Sequence, residues 1–539
     1  MTDQEATQQR TLAPHWSKGG RKITERIVLT GELELVTPAS FGNGDADGLT
    51  DMPLALDPLE ECALLTGASI AGALRCHLRE CAAGYEAPVG KSEADVARLL
   101  FGSLADEKDD QSALIVDDAL GTENPIAEVR DGVRIDHEKR TAADKAKFDI
   151  ELLPAGTKFK LRFELLISEF HSDTQRTQLL HGLAVALQGF ESSAIHLGRR
   201  KRRGYGECRV TQWQASYYDL RQRDGLLAWL GLAQPSTATK NCAAEALLAV
   251  CPKITHAALQ LDKDKREHFT LKADFALDGA LLIRSGSLLR DAAGDALASQ
   301  PDAVHLHSRR NSQDVPVLPG TSLAGVLRHR ALRIAQTLTP NGRAKELVDS
   351  VFGADMEELK KWNKNRPPSE RKTPWASRLE VKEAVVENTQ MLVQTRVKID
   401  RFTGGAYDTA LFDEAPAFNP NGGKSVTLEL KLRAGREQAA PIEAEIGLLL
   451  LLLKDLWTAD LPVGGASSVG RGRLRGDSAE LAYQGANGWN ATLSANPDRD
   501  NKAIALRGDK SHADLNTFVT ALKDYLTENG GATDEQPDN

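Results

Sequence analysis

An internal duplication constrains this sequence more than any other feature. Residues 65–75 (Leu-Thr-Gly-Ala-Ser-Ile-Ala-Gly-Ala-Leu-Arg) return as residues 318–328 (Leu-Pro-Gly-Thr-Ser-Leu-Ala-Gly-Val-Leu-Arg), and seven of the eleven positions are identical. A Val-Arg/Lys-Ile-Asp stretch and a glycine loop recur further along, in the same order. The offset of roughly 250–266 residues is far longer than the repeats of about 20–50 residues that build solenoids. The sequence therefore predicts two complete domains of the same kind.

Length and charge limit how many domains the chain can form and which partners it can bind. The chain has 539 residues, of which 41% are hydrophobic, enough for more than one domain core. Its formal net charge is −9, yet its 67 Lys and Arg residues are unevenly distributed, with a wholly basic run at 199–203. An acidic average does not exclude a basic groove for an anionic partner.

Cysteine spacing and hydropathy exclude several classes of protein. The six cysteines form no Cys-x-x-Cys pair, which argues against a zinc site and favours reduced thiols in the cytoplasm. The long apolar run at 446–453 is too short to span a bilayer, so we expect no membrane partner and a cytoplasmic location. The sequence contains no Walker loop, dinucleotide-binding fingerprint or Gly-x-Ser-x-Gly elbow.

Hydrophobic periodicity predicts the order β-α-β-β-α-β in each repeat, which is typical of an α+β, ferredoxin-like domain. The first strand is expected at 25–36 in repeat one and at 275–283 in repeat two. Ser69 and Ser322 are expected to cap the helices that follow. The predicted organisation is a flexible arm at 1–24, domain one at 25–215, a connector at 216–265, domain two at 266–480, and a C-terminal extension at 481–539 with one helix and a disordered acidic tail.

The two glycine loops share the spacing Gly-x5-Gly-x-Gly. They comprise Gly198, Gly204 and Gly206 in repeat one and Gly464, Gly470 and Gly472 in repeat two. The arginines inside or beside them are Arg199, Arg200, Arg202, Arg203, Arg471 and Arg473. Glycines let a backbone approach a phosphate closely, and arginine adds bidentate contacts to it. The pattern favours a nucleic-acid backbone as ligand; a tight turn with solvated basic residues is the alternative.

Two segments of equal length predict a protruding hairpin in each repeat. Val-Arg-Ile-Asp at 133–136 precedes Phe-Asp at 148–149 by the same interval that separates Val-Lys-Ile-Asp at 397–400 from Phe-Asp at 412–413. Polar and basic residues lie between them, as at the tip of a hairpin. A plain surface hairpin whose basic residue pairs with a nearby acid is the alternative.

Acidic residues crowd the loop after the first strand. They are Asp45, Asp47, Asp51 and Asp57. Asp302 takes the place of Asp51 in repeat two. A carboxylate beside a scissile phosphate can hold a divalent ion or orient an attacking 2′-hydroxyl, and a solvated acidic turn is the alternative. His305 and His307 have no counterpart in repeat one, so we expect them to be structural or solvent-facing.

In this order, the three features resemble the RAMP superfamily of CRISPR-associated proteins, and within it the backbone subunits of type III effector complexes. The specific match is Pro-Gly-Thr-Ser-Leu-Ala-Gly-Val-Leu-Arg at 319–328, and repeat one keeps its Gly-x-Ser-x-x-Gly frame. The resemblance covers about 26–212 and 268–480. Two such subunits in one polypeptide are similar to the fused backbone proteins of the type III-D branch.

The resemblance implies a ferredoxin-like (RRM-like) domain in each repeat, whose glycine-rich loop and first helix bind guide crRNA. It also implies thumb hairpins, at about 130–150 and 394–414, that wedge into the guide–target duplex. The RNA-binding residues that it implies are Gly67, Ser69, Arg75, Arg134, Gly198, Arg199, Arg200, Arg202, Arg203, Gly204, Gly206, Gly320, Ser322, Arg328, Lys398, Gly464, Gly470, Arg471 and Gly472.

Catalysis is implied as well. In these subunits an Asp of the loop after the first strand carries metal-dependent cleavage of target RNA, and the matching residues are Asp51 and Asp302. Asp51 stands in an Asp-x-Pro sequence, whereas Asp302 lacks the proline. The expected cofactor is a divalent ion, Mg²⁺, and the expected partners are guide crRNA, target RNA and the other subunits of a type III complex. The low aromatic content, 5%, suits binding of the RNA backbone better than base stacking.

Two alternatives remain open. The chain is a non-catalytic, guide-binding scaffold if neither Asp lies at a scissile bond. It is a guide-processing ribonuclease of the same superfamily if cleavage needs no metal and uses acid/base groups such as histidine.

Overall fold

The computed structural model describes most of the chain. The described residues are 22–42, 44, 50–86, 95–102, 111–122, 126–136, 139, 141–286, 300–310, 313–339, 342–435, 439–495 and 504–527. Most of the predicted arm, Asp45, Asp47 and the acidic tail lie outside these residues.

Repeat one and the connector alternate strands and helices. The strands are β1 Ile23–Leu35, β2 Leu64–Leu65, β3 Leu114–Val116, β4 Ala119–Leu120, β5 Glu128–Ile135, β6 Ala142–Leu152, β7 Lys158–Ser168, β8 Cys208–Asp219 and β9 Ser236–Lys240. The α-helices are α1 Gly67–Ala83, α2 Val96–Phe101, α3 Asp173–Glu191, α4 Arg223–Trp229 and α5 Ala243–Val250.

Repeat two and the C-terminal extension follow the same plan with more short strands. The strands are β10 His268–Asp278, β11 Ala280–Leu281, β12 Arg284–Ser285, β13 Ala303–His305, β14 His307–Arg310, β15 Gln313–Leu318, β16 Leu379–Val381, β17 Ala384–Val385, β18 Gln390–Met391, β19 Gln394–Ile399, β20 Ala406–Ala415, β21 Ala417–Phe418, β22 Lys424–Arg433, β23 Arg473–Gln484, β24 Trp489–Ala495 and β25 Ile504–Gly508. The α-helices are α6 Gly320–Leu338, α7 Arg343–Phe352, α8 Met356–Asn363, α9 Ile442–Trp457 and α10 His512–Thr527.

Each repeat is built on one antiparallel sheet. The strand order is β3-β7-β1-β8-β9 in the first and β16-β22-β10-β23-β24-β25 in the second. In both, the first strand of the repeat lies between the long strand that follows the hairpin (β7 or β22) and the strand that follows the glycine loop (β8 or β23). The chain is therefore a mixed α+β protein with two similar sheets, as the duplication predicts.

The period-two pattern of β1 has the predicted consequence. Ile27, Leu29, Leu33 and Leu35 are buried in one apolar cluster together with side chains of α1 and α3. The second cluster joins β10, α6 and α9 in the same way. Helices thus cover one face of each sheet, because that face carries the buried apolar side chains.

The counterpart of β1 begins earlier than the sequence predicts. Leu35 pairs with Cys208, and Leu277 pairs with Leu474, each partner lying two residues after the last glycine of its loop. The expected strand at 275–283 therefore covers only the end of β10. The sheet ladder fixes this register, and apolar alternation alone does not.

The caps of the first helices also differ from the prediction. The N-caps of α1 and α6 are Thr66 and Pro319 rather than Ser69 and Ser322. The Thr66 hydroxyl accepts the backbone N–H of Ser69, which places the serine inside the first turn. Pro319 supplies no side-chain cap in its helix.

The connector and the C-terminal extension complete the two sheets. β9 pairs with β8, and β24 pairs with β23, so the predicted boundaries at 215 and 480 fall inside strands. α5 packs on α3, and α10 buries its apolar face against α9 and α6. Both segments belong to the domains that precede them.

The long apolar run of the sequence lies in α9. Its residues Ile446, Leu448, Leu449, Leu452 and Leu453 are buried in the second core. No helix in the described ranges is both long enough and apolar enough to cross a membrane.

Candidate functional site

The two glycine loops have the same backbone conformation. The φ angles of Gly198, Gly204 and Gly206 are +85°, +84° and +74°, and those of Gly464, Gly470 and Gly472 are +82°, +85° and +75°. Each loop contains a short 3₁₀ helix entered through a left-handed residue, Arg200 or Ala466. A Cβ on Gly206 or Gly472 would lie within 1.9 Å of a backbone carbonyl oxygen, so these positions require glycine.

The surroundings of the two loops differ. Loop one (residues 198–206) docks on the second repeat, where Arg203 donates hydrogen bonds to the carbonyls of Phe352 at 3.0 Å and Leu379 at 3.1 Å. A Cβ on Gly320, at the start of α6, would lie 2.4 Å from the carbonyl oxygen of Arg203. In loop two (464–472), residues 467–470 are exposed.

Several of the predicted RNA-binding arginines therefore have protein partners. Burial and the nearby Arg328 lower the pKa of Arg203 to about 10. Arg202 lies 3.7 Å from Glu380. Arg199 is exposed, whereas Arg200 lies 4.3 Å from the ring centroid of Phe148. Loop one thus divides into an exposed part and a part buried between the repeats.

The spacing that α1 and α6 share at their starts has a packing role. Gly67 and Gly320 lie against the carbonyls of Val116 and Val381, with no room for a Cβ. The first arginine of each helix reaches the C-cap residue of the next helix. Arg75 donates to the Gly102 carbonyl at 2.9 Å, and Arg328 to the Gly353 carbonyl at 2.8 Å. RNA binding by Arg75 and Arg328 stays a prediction. Ser69 is exposed in the first turn of α1.

Antiparallel hairpins occur at both expected positions. β5 pairs with β6, and β19 pairs with β20. Arg134 forms a 2.6 Å ion pair with Glu357, and both side chains are about half exposed. Lys398 lies 4.8 Å from the ring centroid of Tyr407. The two basic residues thus lie on equivalent strands with different neighbours.

The bases of the hairpins contain buried charges that the sequence does not single out. In the first, Arg130 of β5 pairs with Glu383, a residue of the second repeat. In the second, Arg471 of loop two donates to Gln394 at 2.9 Å and lies 2.7 Å from Glu414. Burial lowers the pKa of Arg471, which we predicted to contact RNA. The partners are distant in sequence, so no spacing pattern would have found them.

The candidate catalytic carboxylates lie beside the returning strand of each hairpin. The backbone N–H of Asp149 donates to Asp51 Oδ2 at 2.9 Å, and that of Asp413 donates to Asp302 Oδ2 at 2.8 Å. Both Asp51 and Asp302 are exposed. The duplication thus places the same pair of residue types together twice.

The loop around Asp51 is fixed by further contacts. Glu151 accepts hydrogen bonds from the Thr50 hydroxyl at 2.9 Å and from the Leu54 N–H at 3.0 Å. Met52 forms a parallel bridge with Ile150. In repeat two, Ala303 and Val304 pair in parallel with the end of β20. Each loop is an extra strand segment on its hairpin, which presents the carboxylate to solvent.

Neighbouring carboxylates complete each site. Asp131 faces Asp149 across the hairpin, and a hydrogen bond between them raises the pKa of Asp149. Asp149 Oδ1 and Asp413 Oδ1 are buried and accept no hydrogen bond within the described residues. In the same part of the chain, no three His, Cys, Asp or Glu side chains are grouped to hold a metal ion. The residues fit a cation that one or two carboxylates bind together with a ligand's phosphates.

The two histidines near Asp302 have structural contacts. His305 is fully buried, where its Nδ1 accepts the Ile283 N–H at 3.1 Å and its Nε2 lies 3.1 Å from the Val317 carbonyl. Burial lowers the pKa of His305 to about 3. His307 Nδ1 lies 2.7 Å from the carbonyl of His305. Neither contact involves Asp302.

A comparison with known proteins agrees with the duplication. The model of the RAMP superfamily matches residues 32–209 and 275–475, one stretch in each repeat and together more than half of the chain. No curated protein matches the chain. The matched stretches contain both loop carboxylates, both hairpins and both glycine loops. The chain therefore belongs to the RAMP superfamily.

Proposed function

We propose that this protein is a guide-RNA-binding backbone subunit of a type III CRISPR effector complex that cleaves complementary target RNA. Cleavage would occur at two sites, set by Asp51 and Asp302, with a divalent metal ion. The observation that carries the proposal is the repeated contact between a loop carboxylate and the returning strand of a hairpin. A turn that is merely solvated would not hold its carboxylate against the hairpin.

The proposed architecture is a ferredoxin-like domain with a thumb in each repeat. The strand orders β3-β7-β1-β8 and β16-β22-β10-β23 support it, since in each the first strand lies between the third and the last. The hairpins β5–β6 and β19–β20 serve as the thumbs. Each places its Asp149 or Asp413 amide on the loop carboxylate, so thumb and site would move together.

Guide binding would use the exposed basic side chains. The candidates that support this step are Arg199, Arg134 and Lys398, because the side chain of each is exposed. Contacts to phosphate and 2′-hydroxyl groups suit a guide whose sequence varies while the protein does not. The family membership supports RNA as the ligand.

The divalent ion would be held jointly by protein and RNA. Mg²⁺ usually keeps several waters and uses one or two carboxylates plus substrate phosphates. Asp51 with Asp149, and Asp302 with Asp413, offer such a set. When bound, the ion would polarise the scissile phosphate, and the carboxylates would orient it. His305 has no part in the proposed cleavage, because it is fully buried and hydrogen-bonds to the backbone of Ile283 and Val317.

The test is cleavage by the assembled complex with a defined guide, a labelled complementary RNA and Mg²⁺. Asp51→Ala should erase one cut and Asp302→Ala another, with guide binding retained. Glu60→Gln is the matched control, because it changes an exposed carboxylate in the same loop after β1 as Asp51. An unchanged fragment pattern in the Asp51, Asp302 double variant would remove the nuclease part and leave a scaffold.

The scaffold is the second candidate function. It is favoured by the engagement of one oxygen of each loop carboxylate and by the lack of a three-ligand metal group in the described residues. Cleavage that persists in a chelator would instead point to the metal-independent guide-processing ribonuclease. The other expected partners, target RNA and further type III subunits in the cytoplasm, belong to the same proposal.

A further inference from the structure

The first hairpin is attached to the second repeat through a buried ion pair. Arg130 lies in β5 with 3% of its side chain exposed, and both its terminal nitrogens contact the carboxylate of Glu383. The Glu383 side chain is fully buried. Arg130 also contacts Glu128 of its own strand and lies 5.5 Å from the ring centroid of Tyr205.

A second cation converges on the same carboxylate. Arg310, from β14 of repeat two, pairs with Glu383 and donates to the carbonyl of Val36 at 2.7 Å. Ser308 of the same strand donates to Glu128 at 3.2 Å. The cluster thus joins the end of β1, the first hairpin and the segment after Asp302. Loss of Glu383 would leave two buried guanidinium groups without this partner, which is strongly unfavourable.

The second hairpin is held differently. The ladder pairs Arg130 with Ile150 in the first hairpin and Gln394 with Glu414 in the second, so Gln394 is the counterpart of Arg130. Gln394 and Glu414 contact Arg471, which comes from the glycine loop of the same repeat. The second hairpin is therefore anchored within its own repeat, and the first across the repeat boundary.

We propose that Glu383 is a positioning residue for the Asp51 site, so that repeat two completes the site of repeat one. Arg130 lies opposite Ile150 in the β5–β6 ladder. The backbone N–H of the adjacent Asp149 donates to Asp51. A shift of β5 would therefore move the amide that holds the carboxylate. In the second hairpin the corresponding contact, between Arg471 and the pair Gln394 and Glu414, lies within repeat two. The catalytic part of this inference rests on the proposed function, whereas the anchoring of the hairpin does not.

The test compares Glu383→Gln with Glu387→Gln in the assembled complex. Glu387 is an exposed glutamate four residues further along and serves as the matched control. We expect Glu383→Gln to reduce the cut assigned to Asp51 at least tenfold and to leave the cut assigned to Asp302 unchanged. Gln394→Ala should have the converse effect. An equal loss of both cuts, or no loss, would overturn the inference.

Hydrogen exchange supplies a readout that needs no nuclease activity. In the full chain, Glu383→Gln should speed exchange in β5 and β6 and leave β19 and β20 unchanged. If Glu383→Gln fails to fold, Arg130→Met replaces it. In that variant Glu383 keeps its ion pair with Arg310, and the apolar methionine side chain still covers the ring of Tyr205. Unchanged exchange in the first hairpin would overturn the anchor. If Asp51→Ala alters no cut, the proposed function fails. The exchange result still shows whether Glu383 anchors the first hairpin.

Discussion

Asp51 Oδ2 accepts the backbone N–H of Asp149, and its counterpart Asp302 accepts that of Asp413. The loop carboxylate and the hairpin are therefore one unit in each repeat. The contact uses one oxygen of the carboxylate and leaves the other for a ligand. It also gives the carboxylate two separable roles, as a charge and as a hydrogen-bond acceptor.

Substitution of Asp51 should separate these roles. Asp51→Asn keeps an acceptor for the Asp149 N–H and removes the charge, so the cut at the first site should fall at least roughly 100-fold with the fold intact. Asp51→Ala also leaves the amide without this acceptor and should cost about 0.5–1.5 kcal/mol in addition. Cleavage assays and thermal unfolding of the two variants check this. Equal activity of Asp51→Asn and the native protein would contradict the charge role.

The salt dependence of guide-RNA affinity should show which arginines of loop one contact RNA. Arg199 is exposed, so Arg199→Ala should reduce the slope of log affinity for guide RNA against log salt by about 0.7–1. Arg203 is bound to carbonyls of the second repeat, so Arg203→Ala should leave that slope unchanged. Its cost is instead about 2–4 kcal/mol of stability, since buried acceptors lose a charged donor. A reduced slope for Arg203→Ala would show that this side chain contacts RNA after all.

Two glycines of loop two should respond very differently to alanine. Gly470 has φ +85° and open space around it, so Gly470→Ala should cost only about 1 kcal/mol of backbone strain. Gly472 has φ +75° and would place its Cβ 1.9 Å from the Val463 carbonyl oxygen. Gly472→Ala should therefore cost roughly 3 kcal/mol or more. Denaturant unfolding of both variants gives the comparison, and similar costs would contradict the packing argument.

Buried His305 should make the second repeat sensitive to acid. Its pKa is lowered from 6.5 to about 3, so below pH 6.5 the unfolded chain binds a proton that the folded chain does not. This contribution to stability is complete above pH 6.5 and declines as pH falls from 6.5 towards 3. At pH 5 the loss is about 2 kcal/mol.

The check is the unfolding midpoint in denaturant at pH 7 and pH 5. His305→Gln, which can still accept and donate, should narrow the difference between the two values. His512→Gln changes an exposed histidine at the start of α10 and should not. An unchanged difference in His305→Gln would place the acid sensitivity elsewhere.

Local patterns predict much of the fold. The alternation of Ile27, Leu29, Leu33 and Leu35 identifies β1, and the apolar run at 446–453 lies within α9. Each of these signals lies within one element. The duplication then aligns the loops and hairpins. Both copies keep the same spacing between the glycines of the loop, and the same spacing between the Ile-Asp and Phe-Asp pairs of the hairpin.

Contacts between distant residues could not be predicted. Arg130 and Glu383 are 253 positions apart, and neither belongs to a recurring motif. The arginines of loop one look like RNA-binding residues because the sequence shows their charge but not the carbonyls of Phe352 and Leu379 that face Arg203. The start of β10 depends on ladder register, which alternation alone does not fix.

Docking of loop one on the second repeat ties two surfaces of one chain together. Because both surfaces belong to one polypeptide, the contact forms at an effective concentration set by the connector and not by expression level. A substitution in the loop and its compensation on the facing surface are inherited together. Loop one is wholly basic at 199–203, whereas the equivalent residues 465–469 of loop two are Gly-Ala-Ser-Ser-Val. The duplicated halves are therefore not interchangeable at this contact, because loop two has no arginine at the position of Arg203 to contact the facing carbonyls.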